Sequence, residues 1–298
     1  MHFCVFSFNR GPFLKNCVES IEKCCPSARI TVFDDDSDDR ETRQVLEEIA
    51  GTHRVEQPGH SSAHRLGGLY GNMQSALELL EHESTLCFLQ DDTQIVRPLL
   101  ELDFEDIEAA FQRRPELGFI SPCFIRGRTL DRGAQFEAES DLNLYFRRPD
   151  QRSSGCHFSA LLITKPSRLI KAGWSFKGSE PLNDEQASRL FGPMGYLHAP
   201  FAMWLPEVPA FRGKKKTLGL KLAEKKRRCG FYPFEILDES EASALRQREF
   251  SVLPRAEDFL CCTPATPPKP WAYNPLTDTG WIKLLNQMEV ALRKTLKF

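Results

Sequence analysis

The segment His2–Ile21, HFCVFSFNRGPFLKNCVESI, changes its hydrophobic period half-way, and that change decides the fold. Its first part, His2–Phe8, is an almost unbroken apolar and aromatic run of strand length. Such a run reads as a strand covered on both faces. Asn9-Arg10-Gly11-Pro12 then turns the chain, and Pro12 suits the first turn of a helix, where its missing N–H leaves no bond unmade. Leu14, Val18 and Ile21 follow on one face of that helix.

The same unit repeats outward from there. Arg29–Phe33 is a short strand ending in acid, Asp34-Asp35-Asp36-Ser37-Asp38-Asp39, and Val45, Leu46 and Ile49 mark the next helix. A loop with Gly67, Gly68 and Gly71 leads into Asn72–Glu81, where Met73, Ala76, Leu77 and Leu80 recur at helical spacing. Thr85–Gln90 is a further strand, and it too stops at acid, Asp91-Asp92. This β-α-β-α-α-β order with short connections predicts an α/β, Rossmann-like fold: a mostly parallel sheet with helices on both faces.

Past Pro98 the spacing predicts a helix (Asp103–Arg113), a strand (Leu117–Pro122) and a polar stretch, Arg126–Arg152, with no assignable period. A strand (Phe158–Ile163) and helices at Pro166–Ala172 and Asp184–Phe191 come next. Arg212–Arg228 holds nine Lys/Arg against the single acid Glu224, and Pro264–Pro270 reads as a linker. A closing helix, Trp281–Leu296, carries Ile282, Leu285, Met288 and Leu292 on one side, a face for the main domain or for a partner subunit in a homo-oligomer.

Composition narrows the class. With 298 residues, 41% apolar and 27% charged, the chain can bury an ordinary globular core. A net charge of −2 gives no global positive field for nucleic acid. The N-terminus has neither a basic leader nor a long apolar core, and the longest apolar stretches, such as Ala160–Ile163 and Pro200–Leu205, fall far short of the roughly 20 residues that cross a bilayer. Ten cysteines without a CxxC pair read as free thiols, Cys4, Cys17 and Cys87 serving as small core residues. The expected location is therefore cytoplasmic, with peripheral contact at the inner face of a membrane through Arg212–Arg228 as one role for that basic run. The plainer role for it is a solvated loop.

Open parallel sheets bind ligands at the carboxyl ends of their strands. Three features land there: Ser7-Phe8-Asn9-Arg10, the acidic run Asp34–Asp39, and Asp91-Asp92. Each has a structural reading as well, Phe8 as core, Asp38 or Asp39 as a helix cap, and Asp91-Asp92 as a solvated turn.

FCVFSFNRGPFLKNCVESI, ITVFDDDSDD and GNMQSALELLEHESTLCFLQDD resemble, in order and spacing, the N-terminal half of family 2 glycosyltransferases of the GT-A fold. The resemblance covers residues 1–100 well and 154–200 fairly, and fades beyond 210. It implies a nucleotide-sugar-binding half (1–100), an acceptor-side half of the same domain (101–210) and a C-terminal extension with the basic loop (211–298). The implied activity is transfer of a sugar from a nucleoside diphosphate, UDP above all, to a glycan, lipid-linked or other hydroxyl acceptor.

Residue by residue, the resemblance implies that the loop Ser7, Phe8, Asn9 and Arg10 lies at the nucleotide, Ser7 and Phe8 holding the base. Asp35, beside Asp34, would accept the uracil N–H, and Arg65 to Asn72 would run along ribose and phosphates. Asp91 would lie near the ribose and Asp92 on Mn²⁺ or Mg²⁺, hard cations suited to carboxylate and diphosphate oxygens. Gln90 departs from the first acid of the usual Asp-x-Asp. SSGCHFSALLITKPSRLIKAGWSF and NDEQASRL resemble the acceptor side, with His157 near the transferred sugar and Asp184 or Glu185 as the base that inverts the anomeric centre. A core histidine is the plainer reading of His157, while Trp174 reads equally as core or acceptor platform and Asp184 equally as a cap. His198 is a third candidate metal ligand. Two rivals stay open: a nucleotidyltransferase, for which Asn9-Arg10-Gly11-Pro12 is short, and a non-catalytic nucleotide-sugar-binding module, which Gln90 favours.

Overall fold

The computed structural model describes residues 1–57, 68–148, 155–210 and 216–295. The strands are β1 (His2–Ser7), β2 (Arg29–Asp34), β3 (Arg54–Glu56), β4 (Leu86–Gln90), β5 (Thr93–Ile95), β6 (Ile120–Ser121), β7 (Phe136–Glu139), β8 (Leu144–Arg147), β9 (Leu162–Thr164), β10 (Gly195–Leu197) and β11 (Ala202–Trp204). The helices are α1 (Gly11–Cys24), α2 (Arg40–Ala50), α3 (Gly68–Leu79), α4 (Glu101–Arg113), α5 (Gly127–Asp131), α6 (Pro166–Lys171), α7 (Glu180–Leu190), α8 (Leu218–Arg227), α9 (Glu239–Gln247), α10 (Ala256–Phe259) and α11 (Trp281–Thr295).

The main sheet runs β3-β2-β1-β4-β9-β6-β10-β8-β7. Its first four strands are parallel, as the alternating units predict; β9 then runs antiparallel to both β4 and β6, and β8 antiparallel to β7 and β10. The sheet is thus parallel in its first half and mixed in its second. β1 explains the two covered faces. Phe3 and Val5 pack with Leu14, Cys17 and Val18 of α1, while Cys4 and Phe6 point the other way, to Met73, Ala76 and Leu77 of α3. Strand order reverses between β1 and β4, since β2 and β3 continue on the far side of β1. Ligands of open α/β sheets sit in the crevice such a reversal opens.

Where the structure departs from the sequence reading, hydrogen bonds give the reason. The strand expected from Phe158 begins only at Leu162, because the His157 and Phe158 amides go to Asp184 Oδ1, each at 2.9 Å. Helix α7 starts at Glu180 rather than Asp184, with Pro181 in its first turn. Neither Asn183 nor Asp184 is its cap: Asn183 lies inside the helix, buried, with its side chain bonded to Lys177 and Ser179. The unassigned stretch after Arg126 contains α5 and the hairpin β7–β8, which turns through Asn143 at φ 53°. Residues past 230 join the main core rather than trailing from it, since Phe234, Leu237, Leu245, Leu260 and Trp271 are buried there. All ten cysteines are free. Among the described residues no helix is long and apolar enough to cross a membrane.

Candidate functional site

The register levels the ends of three neighbouring strands: Ser7 lies opposite Asp34 and Phe6 opposite Gln90. The loops after β1, β2 and β4 therefore meet at the reversal point. Asp91 is only 5% exposed, so the pair is no solvated turn. Its Oδ2 accepts the Phe8 N–H at 3.2 Å, and its Oδ1 accepts from Arg10 at 3.2 Å. Arg10 also donates to Asp92 Oδ2 at 2.7 Å and to the Pro209 carbonyl at 3.4 Å.

Electrostatics follow from that arrangement. Burial works to lower the Arg10 guanidinium, but Asp92 and Asp91 outweigh it and hold the group above the ordinary arginine value. Burial raises the Asp91 carboxyl, with Arg10 opposing and Asp92 adding. Asp92 Oδ1 is buried and has no hydrogen-bond partner among the described residues, and neither does the buried Ser7 Oγ. Unpaired buried acceptors and hydroxyls are costly, so each has bonding capacity that a water, a ligand or a cation can take up.

The acidic run divides its labour. Asp34, fully buried, accepts both the amide and the hydroxyl of Ser37, at 2.7 and 2.6 Å. Asp39 caps α2 through the Thr42 N–H at 2.9 Å, the structural reading of that residue. Asn9, at φ 50°, is the staple: its Oδ1 accepts from the Asp38 and Asp39 amides and its Nδ2 donates to Asp38. Asp34 and Asn9 thus shape the loop, and Asp35 is the acid aimed elsewhere. Its carboxylate lies against the start of α3 so closely that a Cβ on Gly68 would be 1.5 Å from Asp35 Oδ2. Asn72 sits one turn further along α3, buried. Arg65 lies outside the described residues.

Across the sheet edge is a cavity of ≈ 80 Å³ lined by Arg126, Gly155, Ser159, Glu180, Tyr196 and Trp204, among others. Arg126 stacks over Trp204 with its guanidinium carbon 5.0 Å from the ring centre. Asp184 ties α7 to the turn at His157 and Phe158 through its Oδ1. Glu185 instead faces solvent and pairs with Arg189 along the helix, so the structure does not bring it to the cavity. Glu180, one helical turn before Asp184, does line it; burial raises its carboxyl, Arg126 opposes and Asp184 adds to the rise. Sequence reading missed Glu180, and Pro181 in the first turn was the signal that could have placed it.

His198 is not brought to Asp92. It is buried against Phe250, ring centres 3.9 Å apart, and Tyr145, at 5.8 Å. Burial, with Arg248 and Arg246 nearby, lowers it to about 4. Among the described residues no three His, Cys, Asp or Glu side chains gather as a metal cage. Trp174 is core, stacked on Phe158 at 5.7 Å and edge-on to Phe119 at 5.1 Å.

No family model and no curated protein matches the chain. Solved structures align with it in part. TarS 1–349 of S. aureus in complex with UDP aligns at 16% identity and TM-score 0.46, over 68% of this chain and 60% of that one. The mannosyltransferase PcManGT of Pyrobaculum calidifontis, in complex with GDP-Man and Mn2+, aligns at 13% identity and TM-score 0.41, over 99% and 74%. The apo structure of the bifunctional enzyme WbbM aligns at 12% identity and TM-score 0.39, over 64% and 38%. The chain spans about 60% of the TarS 1–349 chain.

Proposed function

We propose that this chain transfers a glycosyl group from a nucleoside diphosphate sugar, with UDP the favoured nucleotide, to a glycan, lipid-linked or other hydroxyl acceptor. One observation carries the reading: the β1 loop, the acid after β2 and the acid pair after β4 converge at the strand-order reversal, with Arg10 bound to both Asp91 and Asp92. The base of the nucleotide has the unpaired Ser7 Oγ and the half-buried Phe8 beside it, and Asp35 can accept a ring N–H. The diphosphate falls next to Arg10, whose charge is fixed in place by the two carboxylates. Electrostatic stabilisation of the charge that develops on a leaving group is usually the largest single term in such catalysis.

A divalent cation fits this site at one residue. Asp92 Oδ1 is the free oxygen ligand, and Mn²⁺ or Mg²⁺ held there, completed by diphosphate oxygens and water, would further neutralise the leaving nucleotide. His198 contributes nothing to it. The acceptor hydroxyl needs a proton acceptor on the opposite face of the sugar. Asp184 keeps Oδ2 for that role, and Glu180, in the cavity with Arg126, is the second candidate. With either carboxylate taking the proton, direct displacement of the nucleoside diphosphate by the acceptor hydroxyl gives inversion.

The test is binding and turnover of UDP-, GDP-, TDP- and CMP-sugars with and without Mn²⁺. A chain that binds none of them overturns the reading. Binding without turnover under any acceptor selects the second reading, a nucleotide-sugar-binding module, which the locking of both acids by Arg10 favours.

A further inference from the structure

Helices α8 and α11 form a surface that the proposed reaction does not use. Helix α11 docks on α8 through a polar seam: Thr217 bonds to Asn286 at 2.6 Å, the Leu218 amide donates to Glu289 at 2.6 Å, and Arg293 donates to the Lys216 carbonyl at 3.3 Å. Gly219 permits the close approach, since a Cβ there would lie 2.6 Å from the Asn286 amide nitrogen. Ile282 is the buried apolar residue of this face.

Because the seam is polar, the apolar stripe of α11 is left outside. Trp281, Leu284, Met288 and Leu292 recur at helical spacing and are 67, 58, 56 and 59% exposed. Leu218, whose amide bonds to Glu289, brings another side chain, 57% exposed, beside them. Four large apolar side chains in one exposed row are more than chance scatter on a soluble surface.

The charges on the pair decide what covers the row. Its acids are already engaged, Glu224 with Lys216 and Glu289 with Arg293. Exposed Lys221, Lys225, Lys226 and Arg228 on or next to α8, and Lys283 on α11, form no ion pair among the described residues. Every uncompensated charge on the two helices is therefore positive. A second copy meeting the same face would bring like charges together. An anionic bilayer meets both features at once, taking the apolar row, with Trp281 at one end, into its interface and the lysines against its headgroups.

We propose that the α8–α11 pair is a membrane-docking surface that holds the protein flat on an anionic lipid bilayer. This goes beyond the glycosyl-transfer reading and does not depend on it.

Co-sedimentation of the full chain with vesicles containing phosphatidylglycerol, against vesicles of phosphatidylcholine alone, tests it. The expected result is binding to the anionic vesicles only, weakened by salt. Lys221→Gln, Lys225→Gln and Lys226→Gln together should lower the partition coefficient by about 100-fold. Leu284→Ser with Met288→Ser should lower it as well, while far-ultraviolet circular dichroism and donor binding stay as in the wild type. No binding to anionic vesicles overturns the proposal. So does binding that the Leu284/Met288 variant retains in full, or a solution dimer that this variant converts to monomer.

Discussion

Arg10→Met asks whether the guanidinium is the cation of this site. In the native chain Arg10 Nη1 lies 3.2 Å from Asp91 and 2.7 Å from Asp92, and the three side chains are only 19, 7 and 15% exposed. Removing one partner of a buried pair strands the remaining charge, at a cost of about 3–5 kcal/mol. Two carboxylates are stranded here, yet Asp91 keeps the Phe8 amide and Asp92 is nearer the surface, so the lower figure, ~3 kcal/mol, is the better estimate. For a chain of this size that corresponds to a fall in Tm of about 5 °C. Mn²⁺ supplied at ~100 times its Kd should return about 2.7 kcal/mol to the variant, because both acids would then lack their counter-charge and Asp92 would be free of its competitor. In the wild type Arg10 competes for Asp92, so the same Mn²⁺ should raise Tm less. Thermal unfolding of both proteins, in EDTA and in Mn²⁺, reads this directly. A variant as stable as the wild type, or an equal Mn²⁺ effect on both, would refute the assignment of Arg10 as the resident cation.

Asp35→Ala should weaken nucleotide binding by roughly 1.5–3 kcal/mol, the value of a charge-assisted hydrogen bond, and by more than Asp36→Ala; calorimetry with the bound nucleotide checks it. Gly68→Ala should weaken the same binding without touching a charge, since its Cβ would collide with the Asp35 carboxylate; wild-type affinity would mean the loop yields freely. Asp184→Asn and Glu180→Gln, compared at saturating donor, should identify the base as the one that lowers kcat by roughly 10²–10⁴ with donor affinity kept, and product NMR should show inversion. His198 sits at about 4, below its ordinary 6.5, so the unfolded chain takes up the proton first. The stability due to neutral His198 is complete above about pH 6.5 and is lost as pH falls toward 4, by up to ~3 kcal/mol. His198→Phe should flatten the urea midpoint between about pH 5 and about pH 7, and an unchanged slope would assign the titration elsewhere.

The first half of the fold was legible because each unit states itself locally: Phe3 to Phe6 fill both faces of β1, and Leu14, Val18 and Ile21 fill one face of α1. The ends of β1, β2 and β4 were legible for the same reason. What each acid does there was not, because it depends on partners distant in sequence. Asp34 and Asp35 are neighbours of one type, yet one is consumed by Ser37 and the other lies against Gly68. Arg10 meets its acids across 81 and 82 residues, and no spacing rule reaches that far. The closing helix shows the converse limit. Periodicity found an apolar side through Met288 and Leu292, but an apolar side does not name the face that docks. Asn286, Glu289 and Arg293 take α8, and hydrogen bonds with fixed partners give that seam one register, where a greasy contact would tolerate several. A chain that needed only to bury Met288 and Leu292 would have turned them inward; with the polar seam between the helices, the apolar row stays exposed. The arrangement that confounded the sequence reading is therefore the one that leaves this surface free to meet a membrane.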